Sequence, residues 1–348
     1  MKITDVKAVY PKYSHVQPSW RTHFWQIVVR IESDTGVVGY GYGGGGVASV
    51  EVVNRHMGEL LVGRSVDSDA DIAAAWDALY AASIPYGRRG IGVMALSGID
   101  LALWDLLGKA EGVPVHELIG QRTKGAVPAY ATGADADWYA ELGFTAHKFP
   151  HRFDADADYQ TAVDRASRAR SIFGPDARIM IDTYMSWNTG VTLEMAERLA
   201  EFNIYWFEDV LTPDDLEGQG ALRSRVKPVL VAGGEHEFTQ YGFREVALTG
   251  ALDLWQPDIT WCGGITSGLR ILDIARGVGA PVSPHRGGEV WGLHLIVASD
   301  CMDLAEVLPG QRDVARDELW IGEPRAKDGH IEPSDEPGFG VALNEAMI

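Results

Sequence analysis

The rhythm of apolar and polar positions changes near residue 124. Before it, QIVVRI at 26–31 predicts a strand, Ser33-Asp34-Thr35-Gly36 a turn, and residues 37–42 a second strand. Four glycines at 43–46 close this hairpin. Val93, Leu96, Ile99, Leu103 and Leu106 then recur at helical spacing, which predicts a helix over 90–111 stopped by Gly112 and Pro114. From about residue 126 the pattern becomes short β-rich runs separated by helical stretches. Strands are predicted over 127–132, 144–149, 178–181, 204–207, 229–232, 252–256, 282–283 and 304–307, and helices over 156–173, 193–202, 243–249 and 266–277. Such alternation builds either a closed parallel barrel or a doubly wound sheet. No Gly-x-Gly-x-x-Gly follows the first strand, which favours the barrel. The expected fold class is therefore α/β: a (β/α) barrel over 125–323, an α+β N-terminal domain over 1–124, and a loop-rich tail over 324–348 that rejoins that domain.

Composition narrows the partners. A chain of 348 residues has room for a barrel and an accessory domain. Its formal net charge of −19 argues against nucleic acid, where a basic footprint dominates, and against anionic membrane surfaces. An acidic protein that takes an acidic ligand needs local positive charge, from a metal ion or a few Lys and Arg. Two cysteines, Cys262 and Cys301, are too few for a disulfide framework and fit a reducing cytoplasm. The opening residues lack the apolar core of a secretory signal, and no unbroken apolar run reaches membrane-spanning length.

The chemistry lies just past the predicted strands. Successive strands end in Asp182, Glu208, Glu235, Asp258 and His285, at spacings of 26, 27, 23 and 27 residues. One strand–helix unit takes about that length, so all five reach the same rung. In barrels that rung is the functional mouth. A single acid at a strand end is more often a helix cap. Three in register, Asp182, Glu208 and Glu235, suit Mg²⁺, which takes hard oxygen ligands and leaves positions for substrate. Asp258 and His285, on neighbouring strands, read as a carboxylate–imidazole dyad, a general base.

These residues bring a family into view. ALSGIDLALWDLLGKAEGVPVHELIG, GFTAHKFPH, WFEDVLTPDD, GGEHEFT, QPDITWCGGIT, PHRGGEVWG and EPGFGVALN together resemble the enolase superfamily, mandelate racemase branch, nearly end to end. Within it they are most similar to the L-rhamnonate dehydratases and related acid-sugar dehydratases. The resemblance implies a modified TIM-type (β/α)7β barrel capped by the N-terminal segment and the C-terminal tail. It also implies Mg²⁺ on Asp182, Glu208 and Glu235, and His285 with Asp258 as the base. Lys148 matches the first lysine of a Lys-x-Lys pair, but Pro150 stands where the second would be. One face of the substrate then lacks a base, which favours dehydration over racemisation. His236 and Glu306 would support the site, Glu306 either towards substrate or as a buried ion-pair partner. Trp20, Arg21 and His23 fall in the lid position, either contacting an acid sugar or standing as solvated loop residues. The lid is shorter than in the rhamnonate group, so the substrate's length stays open. Trp187 and Trp291 are further candidates for the pocket, whereas His15, His56, His116 and His330 carry no motif. The implied reaction removes the C2 proton and the C3 hydroxyl of an aldonate or aldarate, giving a 2-keto-3-deoxy acid. An epimerase, a cycloisomerase or a non-catalytic sugar-acid binder on the same barrel are the alternatives. The branch also implies a homo-oligomer.

Overall fold

The computed structural model describes residues 1–13, 19–120, 122–314 and 316–348. His15 lies outside that set. The cap's sheet is antiparallel, in the order β1 (Ile3–Val9), β2 (Ile27–Ser33), β3 (Val38–Gly43). β1 has no clean alternation in sequence because its register shifts between Ile3 and Asp5, so buried Ile3 and Val6 fall three apart. Helix Ile91–Glu111 packs across β3, where glycine occupies every second position, at 39, 41 and 43. The approach is close. A Cβ on Gly41 would collide with the backbone of Gly98 and Ala102. By length and composition this helix is apolar enough to cross a membrane, but 89% of its most apolar window is buried inside the protein.

The second domain is a closed parallel barrel. Its strands are β4 (Val127–Thr132), β5 (His147–Pro150), β6 (Ile179–Asp182), β7 (Ile204–Glu208), β8 (Leu230–Gly233), β9 (Leu254–Trp255) and β10 (Ala305–Val307). Between β9 and β10 the chain contributes a single parallel rung, Val282 against Trp255, and β10 pairs with β4 to close the ring. Seven helices alternate with these eight rungs, so among the described residues the architecture is (β/α)7β. The rungs predicted over 252–256 and 282–283 are thus shorter than expected. Helix Thr189–Arg198 starts earlier than its apolar spacing indicates, because the Asn188 side chain caps it by accepting from Val191 N at 3.0 Å. The tail fastens both domains. His330–Ile331 pairs antiparallel with the start of β4, and Phe339 N donates to Asp105 Oδ1 at 2.9 Å on the cap helix.

Two stacked layers fill the barrel. Tyr130, Ala146, Met180, Trp206, Ala232, Leu254 and Leu304 form a separate apolar plug. In a strand, residues two apart share a face. Two positions beyond these residues stand Thr132, Lys148, Asp182, Glu208, Gly234, Gln256 and Glu306. The plug is therefore the floor, and the next layer towards the strand ends is polar.

Candidate active site

The polar layer is knitted together by charge. Lys148, fully buried, bonds Glu208 Oε1 and Glu306 Oε1, the latter at 2.8 Å, over the ring of Tyr130. Glu208 Oε2 accepts from Trp206 Nε1 at 2.9 Å and from Gln256 Nε2 at 2.6 Å. Glu306 also accepts from Thr132 Oγ1 at 2.6 Å and from Arg286 N at 2.7 Å. Burial opposes charge on Glu306, but Lys148 outweighs it and holds the carboxyl down at about 2. Glu306 is thus the buried partner of Lys148. Thr132 and Gln256 escaped the sequence reading, although the two-residue step from Tyr130 and Leu254 points to them.

Asp258 and His285 are brought together. His285 Nδ1 lies 2.8 Å from Asp258 Oδ2, and His285 Nε2 lies 3.2 Å from Glu235 Oε2. Burial favours the neutral ring, but Glu235 and then Asp258 reverse that and raise His285 to about 10. Asp258 Oδ1 accepts from Thr260 N and Thr260 Oγ1, each at 2.7 Å, and Arg286 Nη1 stands 3.8 Å from Oδ2. Burial works against its charge, yet His285, Arg286 and Thr260 keep Asp258 below the usual carboxylate range.

The acids meet at the mouth. Asp182 and Glu208 are register partners on β6 and β7, and Glu235 follows β8. Burial, then Glu208, raises Asp182 well above its ordinary value, and burial raises Glu235 to about 8. Among the described residues, Asp209, Glu235 and His236 bring their ligand atoms within 4.8 Å of one another. His236 Nε2 is 3.3 Å from Glu235 Oε1 and 3.7 Å from Asp209 Oδ2. Asp209 is a site acid that strand alternation cannot reveal. Its φ of 48° turns the backbone directly after Glu208, so consecutive residues reach one mouth. Burial and the neighbouring carboxylates push it up to about 8. A half-buried cluster of acids that face one another across the mouth has the donor chemistry of a hard divalent cation.

The lid is only partly at the site. Trp20, Arg21 and His23 stand exposed on the short helix Arg21–Phe24 and at its start. Arg21 lies between the rings of Trp20 and Trp25, 5.2 and 4.8 Å from their centroids. Trp25 is what meets the barrel, 6.4 Å from Trp261 and 5.3 Å from the Arg286 guanidinium. Trp187 packs on Phe207, and Trp291 packs between Tyr42, Trp320 and Phe339. Both are core side chains.

A (β/α)7β barrel beneath an α+β cap, with acids and a histidine at its strand ends, is the architecture of the enolase superfamily. The sequence agrees over both domains. The mandelate racemase / muconate lactonizing enzyme N-terminal domain matches residues 6–120, and the enolase C-terminal domain-like model matches residues 131–347. The chain belongs to this mandelate racemase / muconate lactonizing enzyme family of the superfamily. It is 35% identical, over 98% of its length and 87% of the relative's, to a Caldivirga maquilingensis protein provisionally named L-rhamnonate dehydratase. Rhamnonate dehydratase from Gibberella zeae, crystallised with Mg, superposes with a TM-score of 0.91 at 30% identity, covering 99% of this chain and 95% of that one. The 3,6-anhydro-D-galactonate cycloisomerase of Zobellia galactanivorans superposes at 0.88 with 27% identity, covering 99% and 98%.

Proposed function

We propose that this chain is a Mg²⁺-dependent hydro-lyase that dehydrates an acid sugar, L-rhamnonate or a related aldonate or aldarate, to a 2-keto-3-deoxy acid. The observation that carries this reading is the dyad. Asp258 holds Nδ1 of His285 at 2.8 Å, while Nε2 points at the carboxylate cluster, 3.2 Å from Glu235. Asp182, Glu208 and Glu235 would hold the cation, with Asp209 beside them. When bound, the cation supplies fixed positive charge against the negative charge that develops on the substrate carboxylate. Enolase-superfamily sites pair a lysine or histidine base with Mg²⁺, which stabilises the ene-diolate that proton removal leaves.

With the carboxylate charge that raises His285 offset by a cation held on Glu235, Nε2 is free to accept the C2 proton, while Asp258 stabilises the imidazolium on its other side. The same ring then donates that proton to the C3 hydroxyl as the C3–O bond breaks. Water leaves, and the enol tautomerises to the 2-keto acid. One ring acting as base and then acid requires syn elimination. Lys148, clamped between Glu208 and Glu306 in the buried layer, adds positive charge below the substrate. Pro150 in place of a second lysine supports one-base chemistry. Trp20, Arg21 and His23 would meet the sugar from the lid, and His236 from beside Glu235.

Purified protein with Mg²⁺, screened against aldonic and aldaric acids with semicarbazide trapping, tests the reading. A 2-keto-3-deoxy product that disappears on chelation and in His285→Asn is expected. Turnover that survives either control removes the assignment. The likeness to the cycloisomerase supports one second reading, intramolecular isomerisation by the same base. Its product keeps the mass of the substrate, so mass spectrometry separates the two.

A further inference from the structure

Gln26 precedes β2 in the cap and is completely buried. Its amide spans the joint between the two domains. Oε1 accepts from the indole Nε1 of Trp261 at 2.8 Å, and Nε2 donates to Thr260 Oγ1 at 2.9 Å. Thr260 Oγ1 donates to Asp258 Oδ1 at 2.7 Å, and Asp258 Oδ2 receives His285 Nδ1 at 2.8 Å. The row thus runs from a barrel tryptophan through a cap glutamine to the dyad.

Its polarity follows from one group that has no choice. An indole nitrogen only donates, so the amide oxygen of Gln26 faces Trp261 and the amide nitrogen faces Thr260. Thr260 Oγ1 accepts that proton, and its own single proton goes to Asp258. Asp258 Oδ1 then carries two donors, the hydroxyl and the Thr260 N–H, which leaves Oδ2 for the histidine. A flipped amide would set buried N–H against buried N–H and leave both without an acceptor.

We propose that Gln26 is a positioning residue through which the seated cap orients the Asp258–His285 dyad. The proposal rests on the reading of His285 as the base. Two further contacts support a role at the site rather than simple filling. Trp261 stacks on His236 and lies tilted against His285, with ring centroids 6.1 and 5.7 Å away. Gly44 of the cap lets the indole edge approach, since a Cβ there would stand 2.6 Å from Trp261 Nε1. The indole that fixes the direction of Gln26 is therefore itself wedged between the cap and the base.

Gln26→Met keeps the side chain's length without its amide, and Thr260→Val cuts the same row from the barrel side with little change of shape. The first readout is the downfield Nδ1 proton of His285 in the Mg²⁺-loaded protein, assigned by its absence from His285→Asn. Both variants should shift or lose it. Both should also lower kcat by about ten- to hundredfold, as removal of an outer hydrogen-bond partner does, with KM little changed. The double variant should be no slower than the worse single one, because both cut one chain. A resonance that stays in place in both variants overturns the proposal while leaving the base assignment intact. So does a kcat loss that only tracks lost thermal stability, or losses that multiply in the double variant. A parent protein without that resonance overturns the dyad itself, and the proposal with it.

Discussion

His285 and His294 lie nine residues apart in sequence, both rings are largely or wholly buried, and the protein drives them in opposite directions. Burial pushes each towards the neutral form. At His285, Glu235 and Asp258 overcome it and raise the ring to about 10. At His294 the neighbour is His116, with the two Nδ1 atoms 3.2 Å apart, and the ring falls to about 3. The His116 backbone N–H also donates to His294 Nδ1 at 3.2 Å, so that nitrogen must be unprotonated in the fold. Burial alone therefore does not set the charge of a histidine; the facing group does. One ring faces strand-end carboxylates. The other faces His116 on the short cap helix Val115–Leu118, and no carboxylate among the described residues offsets its burial.

The largest effect that sharpens this contrast is on turnover. His285→Asn should lower kcat by on the order of 10²–10⁴-fold, the usual contribution of a general base, with thermal stability and Mg²⁺ affinity retained. His294→Asn, on the same stretch of chain, should leave kcat near that of the parent. Steady-state kinetics on both variants decides it, and equal losses would end the distinction. The next effect is on the cation. Glu235→Ala should weaken Mg²⁺ binding by at least the ten- to hundredfold that loss of an outer partner costs, measured by calorimetry. Unchanged affinity would remove Glu235 from the ligand set and leave Asp209 and Asp182 as the acids to examine.

The difference between what sequence could and could not reveal has the same origin. Apolar runs that end in Asp182, Glu208, Glu235, Asp258 and His285 are visible because one strand–helix unit has a nearly fixed length. Lys148 is visible through a family motif and Glu306 through its place on the last predicted strand, and Thr132 and Gln256 follow from the same two-residue step once the floor of the barrel is known. Asp209 was hidden because a left-handed turn, not a strand, aims it. Gln26 was hidden for a different reason. Its partners Thr260 and Trp261 lie 234 and 235 residues away, and nothing local marks a buried glutamine as a link. The His116–His294 pair is of the same kind, 178 residues apart. Local periodicity reports faces; contacts made by domain docking leave no such trace.

The smallest effect is on stability, and its sign follows from His294. An unfolded histidine titrates near 6.5, whereas the folded ring titrates at about 3. Between those values the unfolded chain binds the extra proton. The contribution is therefore fully present above about pH 6.5 and is lost as pH falls towards the folded value. By about pH 5 the ring should cost about 2 kcal/mol relative to neutral pH. Other buried groups act in the opposite sense. Asp100, raised to about 7 by burial, favours the fold as pH falls. The absolute pH profile consequently mixes signs, and the informative quantity is a difference between proteins. Asn at 294 offers an amide oxygen near the position of Nδ1, able to accept the His116 N–H, and it does not titrate. Denaturant unfolding of the chelated parent and His294→Asn, near pH 7.5 and near pH 5, should show the variant gaining about 2 kcal/mol on the parent at the lower pH. A gap that stays constant between the two pH values would mean that His294 takes its proton in the folded state, and that its partner does not hold it neutral.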